Sequence, residues 1–105
     1  MRCLDYFAAL KARGVNIVAT NNSWGANQLS TILRDAIVRH QTAGILFVAA
    51  AGNDGTNNDQ TPVYPASFDL PNIISVGAID QQGNRAWFSN YGATSVDLFA
   101  PGVGI

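Results

Sequence analysis

One apolar run constrains this chain more than any other feature. Ile45-Leu46-Phe47-Val48-Ala49-Ala50 follows Gly44 and reaches Gly52 through Ala51, with no polar side chain in it. A run this short, bounded by glycines, reads as a strand. Because its polarity does not alternate, both faces are expected to be buried, as in a parallel sheet. Upstream, Leu29, Ile32, Leu33, Ala36, Ile37 and Ala43 recur at helical spacing, while Arg34, Asp35, Arg39 and Gln41 fall off that stripe. The spacing predicts an amphipathic helix, with Asn27 as its N-cap and Gly44 as the residue just past its end. His40 falls on the stripe near Ala36 and Ile37, and is expected to be a core or boundary histidine with its hydrogen bond satisfied. Residues 15–20, Val-Asn-Ile-Val-Ala-Thr, form an earlier β-branched run. Strand, helix and strand in this order predict a right-handed parallel βαβ unit.

The rest of the chain extends that unit. Residues 2–13 read as a first helix with Cys3, Phe7 and Leu10 on one side and Gly14 as its stop. Residues 53–71 are rich in Asn, Asp, Thr, Gly and Pro and read as loop. Residues 73–78 read as a third strand, residues 80–84 as a turn, and residues 95–99 as a fourth strand, closed by Ala100-Pro101-Gly102. The expected class is α/β: a partial doubly wound, mostly parallel sheet of about four strands with two main helices. Open sheets of this kind bind ligands outside the carboxyl ends of their strands. The polar, glycine-marked exits at residues 22–25 and 52–55 are therefore where a site is expected.

Composition excludes several alternatives. The chain has 105 residues, 48% of them hydrophobic and 12% charged, which suits one globular unit over residues 1–105. Six basic side chains face seven acidic ones, a balance that steers the chain neither to nucleic acid nor to an anionic membrane. No apolar run approaches the ~20 residues of a membrane span, and no segment reads as a signal peptide. Cys3 is the single cysteine and is expected to be a small buried hydrophobe on its helix. Gly52-Asn53-Asp54-Gly55 lacks the Gly-Lys-Ser/Thr ending and the three-glycine fingerprint of nucleotide loops.

Six stretches, taken together and in order, resemble the subtilisin-like serine proteases. They are Asn22-Ser23-Trp24-Gly25; Val48-Ala49-Ala50-Ala51-Gly52-Asn53-Asp54-Gly55; Tyr64-Pro65-Ala66; Ile74-Ser75-Val76-Gly77-Ala78; Phe88-Ser89-Asn90-Tyr91-Gly92; and Ala100-Pro101-Gly102. The resemblance runs from about Val15 to Ile105 and implies the three-layer αβα catalytic domain of that family, in its central to C-terminal part. The family's catalytic aspartate, His-Gly-Thr-type and Gly-Thr-Ser-type segments have no counterpart in this sequence; the first two are expected before Met1 and the third after Ile105. His40, set between Arg39 and Gln41 in a helix, is not the missing base.

The resemblance gives roles to particular residues. It implies that Asn53 donates its side-chain N–H to the oxyanion of acyl transfer, although Gly52-Asn53 alone reads as an ordinary turn. It implies that Ser23, Trp24 and Gly25 form one wall of a groove that holds an extended peptide. There Gly25 would admit close backbone approach, while Trp24 alone also reads as a core side chain. Ala50, Ala51 and Gly52 are implied as the opposite wall, though alone they read as tight strand–helix packing. Tyr64 belongs to the next pocket-wall segment, and the resemblance implies a cis Tyr64-Pro65 bond. No cofactor is expected; structural calcium is a family option, with Asp97 resembling a ligand, but Asp54, Asp59, Asp69 and Asp97 make no spaced acidic loop, so no metal residue is assigned. The parent's partner is expected to be a peptide or protein substrate. The resemblance points to a secreted or extracytoplasmic setting. The 105 residues alone are expected to be inactive. A reading of another class is a non-catalytic binding or structural unit that self-associates through an open sheet edge at residues 15–20.

Overall fold

The computed structural model describes residues 2–105; residue 1 of the expected unit lies outside them. The elements are α1 (Arg2–Ala12), β1 (Ala19–Asn22), α2 (Thr31–Thr42), β2 (Leu46–Ala50), β3 (Ile73–Ile79) and β4 (Leu98–Pro101). The strands make one sheet in the order β1-β2-β3-β4, and every pairing is parallel. The α/β class, the four strands and the two helices agree with the sequence reading.

Helix α2 ends where Gly44 dictates. Gly44 has φ +73, and its N–H donates to the Gln41 carbonyl at 3.0 Å. The Ile45 N–H donates to the His40 carbonyl at 2.9 Å. These two bonds satisfy carbonyls that a helix end leaves open. The N-cap is Ser30, not the expected Asn27: Ser30 Oγ accepts the Leu33 N–H at 3.2 Å. The helix thus starts several residues later than Asn27 would have placed it, and Leu29 and Ile32 are left exposed. Its buried face is Leu33, Ala36, Ile37 and His40, packed with Phe47, Ala49 and Ile73 of the sheet.

His40 departs from expectation. It is fully buried, yet neither ring nitrogen has a hydrogen-bond partner among the described residues. Its ring meets Phe47 edge-on at 6.2 Å. Cys3 also differs: it is exposed, and Leu4 is the residue that α1 buries. Helix α1 packs on α2 rather than on the sheet, so it needs only a narrow apolar contact. Accordingly β2 is fully buried on one face, through Phe47 and Ala49, while Leu46 on the other is exposed.

Two strands are shifted along the sequence. β1 begins at Ala19 rather than Val15, because its partner begins at Leu46, which pairs with Ala19. Residues 15–17 instead form turn contacts, Val15 N–H to the Leu10 carbonyl and Ile17 N–H to the Val15 carbonyl. β4 begins at Leu98 rather than Ser95, since Asp97 occupies the start of the ladder. The Asp97 N–H donates to the Ser75 carbonyl at 2.9 Å, and Asp97 Oδ2 accepts the Ser75 N–H at 2.7 Å. The Phe99 ring lies over Gly77, where a Cβ would come within 2.3 Å of it. The Tyr64-Pro65 bond is cis.

Candidate functional site

The register of β1 on β2 sets Asn22 beside Ala49, so the two strand exits emerge side by side. Between them lies a cavity of about 210 Å³ lined by Ser23, Trp24, Gly25, Ala26, Asn27, Ala50, Gly52, Asn53, Asp54 and Val63. This is the carboxyl edge of a parallel sheet, where the sequence placed a site.

The first wall follows β1. Asn22, at the end of that strand, is buried and donates its amide to the Val48 carbonyl at 3.3 Å, tying the exit to β2. Beyond it the chain pairs with the loop after β2: the Ala26 N–H donates to the Tyr64 carbonyl and the Tyr64 N–H to the Ala26 carbonyl, both at 2.8 Å. Gly25 is needed for this approach, because a Cβ there would stand 3.1 Å from the Tyr64 carbonyl oxygen and from Val63 Cγ1. Trp24 is half-exposed; it lines the cavity and rests edge-on against Phe47 at 6.2 Å, serving site and core together.

The second wall follows β2. Ala50 and Gly52 line the cavity, and Gly52 has φ +118, a conformation suited to glycine. Asn53 is exposed and lines the same cavity. Its neighbours are held by a side-chain network: Asn90 Oδ1 accepts the N–H groups of Asp54 at 2.8 Å and Thr56 at 3.2 Å. Asn58 donates to the Ala51 carbonyl at 2.8 Å.

The structure therefore brings Ser23, Trp24, Gly25, Ala50, Gly52 and Asn53 to one cavity. Ala51 is buried, and its carbonyl is taken by Asn58, so it is not part of the lining. Tyr64 is not in the cavity lining; it ties to the first wall through the Ala26 pairing, and its ring lies tilted against Phe68 at 4.7 Å. Ala26, Asn27, Asp54 and Val63 line the cavity without having been singled out for it; their only sequence signal is adjacency to the two exits and to Tyr64.

The subtilase family model matches residues 7–104, nearly the whole chain. The chain belongs to the subtilase family. It is 41% identical over 93 residues to subtilisin DY of Bacillus licheniformis, covering 88% of this chain and 32% of that protein. It is 38% identical over 104 residues to subtilisin-like protease 2 of Plasmodium falciparum, covering 91% of this chain and 8% of that protein. Among solved structures, a cold adapted subtilisin-like serine proteinase superposes with a TM-score of 0.78 at 33% identity, over 97% of this chain and 34% of that one. The subtilase chain thus spans between 8% and 34% of the length of these relatives.

Asp59 and Asp97 of this subtilase are engaged in hydrogen bonds between segments. Hydrogen bonds from Ser95, through its backbone N–H, and from Thr94 lower the pKa of the Asp59 carboxyl to about 2. They fasten the loop after β2 to the segment before β4, with the Ser95 N–H at 2.9 Å and Thr94 Oγ1 at 2.8 Å. Asp97 has one oxygen engaged by Ser75. Among the described residues no three His, Cys, Asp or Glu side chains come together. Calcium takes six to eight oxygens, so these carboxylates alone do not fit it. Among the described residues no helix is long and apolar enough to cross a membrane.

Proposed function

We propose that this chain contributes an oxyanion donor and two groove walls to a serine endopeptidase. The observation that carries this is the position of Asn53: exposed at the exit of a central parallel strand, on the cavity shared with Ser23, Trp24 and Gly25. In peptide hydrolysis the attacking serine converts a planar carbonyl to a tetrahedral centre, and negative charge develops on the carbonyl oxygen. A fixed N–H aimed at that oxygen stabilises the transition state more than the ground state. Asn53 Nδ2 supplies that donor. The nucleophile, the base that takes its proton and the carboxylate that orients the base come from other segments of the protease. The walls receive an extended peptide through main-chain pairing, and Trp24 gives one side of the cavity an apolar surface.

The test is Asn53→Ala in the complete protease containing this chain. Loss of one such donor in subtilisin itself lowers turnover by about 10²–10³-fold, and that existing measurement sets the scale expected here. A turnover number unchanged by the substitution would remove the assignment. For the 105 residues alone the expectation is no turnover, since their one histidine is His40, which is buried. A fluorogenic peptide assay on the purified chain checks this; hydrolysis that persists after removal of contaminating proteases contradicts it.

A second reading concerns the isolated chain. β1 is an edge of the sheet and Val18 beside it is exposed. Unpaired edges recruit other strands, so the isolated chain is expected to self-associate. Light scattering that finds a clean monomer at high concentration counts against this.

A further inference from the structure

Two buried amides flank the proposed donor without reaching the cavity. Asn90 is fully enclosed and Asn58 nearly so, and neither belongs to the cavity lining. A buried primary amide is costly unless its groups are paired, and here the pairing converges on one short stretch of backbone. Asn90 Oδ1 accepts from the N–H groups of Asp54 and Thr56, at 2.8 and 3.2 Å. The Asn90 backbone N–H donates to the Gly52 carbonyl at 2.9 Å. Asn90 Nδ2 donates to Asn58 Oδ1 at 3.0 Å, and Asn58 Nδ2 donates to the Ala51 carbonyl at 2.8 Å. The Ala51 carbonyl before Asn53 and the N–H groups of Asp54 and Thr56 after it are held by these two side-chain amides, and the Gly52 carbonyl by the Asn90 backbone.

Docking of the two segments does not by itself require these side chains. Backbone bonds already join them: the Gly55 N–H to the Phe88 carbonyl at 2.8 Å, the Tyr91 N–H to the Thr56 carbonyl at 3.1 Å, and the Asn58 N–H to the Tyr91 carbonyl at 2.7 Å. What the amides add is control of residues 51–54. Gly52 shows how close that control is, since a Cβ there would lie 2.4 Å from Asn90 Nδ2. Asn53 is left out of the network, so its own amide remains available while its backbone is fixed on both sides.

We propose that Asn90, together with Asn58, is a positioning residue of the oxyanion site, a buried amide pair that fixes the backbone around residue 53 and thereby the direction of its side-chain N–H. This rests on the assignment of Asn53 made above. Donors to a developing charge act through preorganisation, and a misplacement of about 1 Å is enough to cost on the order of 10²-fold. Because the interaction is made in the transition state, the loss falls on turnover rather than on substrate affinity.

The experiment is a double-mutant cycle in the complete protease: Asn53→Ala, Asn90→Ala and both together, with kcat and KM measured for a peptide substrate. Asn90→Ala is expected to lower kcat by about tenfold or more, with KM changed less than about twofold. On the Asn53→Ala background the same substitution is expected to lower kcat by less than about twofold, because its route of action is already gone. An equal loss on both backgrounds, or a loss confined to KM, overturns the proposal and leaves Asn90 a purely structural residue. If Asn90→Ala yields no folded enzyme, Asn58→Ser takes its place in the cycle, with a smaller loss, about threefold to fivefold, and the same required dependence on Asn53. Asn53→Ala alone decides the oxyanion assignment: if it is silent, both readings fall; if it is slow and the cycle is additive, only the positioning role falls.

Discussion

Two groups of buried polar side chains beside β2 differ in how they are paired, although Ser75, next to Ala49, also keeps a hydroxyl unpaired among the described residues. At the carboxyl end, Asn58 and Asn90 are enclosed and spend their amides on each other and on the loop around Asn53. At the other end, on the face covered by α2, His40 is enclosed with neither ring nitrogen paired. Asn72, just before β3, donates to the Ile37 and Ile45 carbonyls at 3.1 and 3.3 Å, but its Oδ1 has no partner among the described residues. A fully paired buried network stiffens its surroundings, whereas a partly paired one is a weak point. β2 is therefore expected to be stiffer beside the proposed donor and weaker, with a response to protonation of His40, where α2 covers it.

The rigid end breaks most severely at Gly52. Alanine there meets two obstacles: the backbone is at φ +118, and the new Cβ would sit 2.4 Å from Asn90 Nδ2. Strain of that kind, added to a displaced buried amide, is expected to destabilise the protein by roughly 2–4 kcal/mol. Denaturant unfolding of Gly52→Ala measures it. A change within about 0.5 kcal/mol, the range of an ordinary surface substitution, would mean that the Asn90 contact is not a constraint and that the two ends of β2 do not differ as described.

The weak end is expected to respond in the other direction. Replacing His40 by Leu keeps an apolar side chain of similar bulk against Phe47 and removes two unpaired nitrogens. At neutral pH this should stabilise the fold by about 1–2 kcal/mol. Burial pushes the His40 pKa below its ordinary value of 6.5; the Asp5 carboxylate opposes the shift and the Arg39 guanidinium adds to it. The C-terminal turn of α2 favours a cation there, and Lys11, whose Nζ donates to the Gly44 carbonyl at 3.0 Å, is a further cation near that helix end. With a folded pKa below the unfolded one, the unfolded chain takes up the proton first as pH falls. Stability is therefore complete above about pH 6.5 and declines, by at most about 1.4 kcal/mol per pH unit, until the folded-state pKa is passed. His40→Leu should flatten this part of the profile. An unaltered slope between pH 6.5 and 5 would show that another group titrates.

How much of this contrast the sequence reveals depends on the kind of interaction. The helical stripe ending at Gly44 and the apolar run after it predict α2 and β2, because periodicity and a left-handed glycine are local signals. The starts of β1 and β4 are not local: they depend on where Leu46 and Ser75 offer partners, so β-branched residues 15–18 and the segment before Leu98 read as strand without being strand. The strand exits that carry Ser23, Trp24, Gly25 and Asn53 are legible in the sequence pattern, while the roles of those residues are implied only by the resemblance to the subtilases. Asn58 and Asn90 are not, since a buried asparagine and a solvent-facing one look alike inside a polar loop, and Asn90 stands 36 residues from the Asp54 N–H it holds. His40 is legible as a core residue, but its missing partners follow from the packing of Phe47 and emerge only in three dimensions.

The smallest effect sharpens the weak end without entering the core. Arg39 donates to Asp5 Oδ1 through Nε at 2.9 Å and Nη2 at 2.8 Å, joining α1 to α2 with both side chains about half exposed. Such a pair contributes about 0.2–1 kcal/mol and is screened by salt, so Asp5→Asn and Arg39→Met should each cost that little and less in high salt. Their effects on His40 are opposite. Removing the carboxylate takes away the charge that raises the His40 pKa, so Asp5→Asn should depress it further and extend the acid-sensitive window to lower pH. Removing the guanidinium takes away a charge that lowers it, so Arg39→Met should bring the His40 pKa closer to 6.5 and narrow that window. Histidine titration followed by NMR in the two variants reads the shifts directly. Movement in the same direction would mean that loosening of α1 from α2, not the lost charge, governs the imidazole.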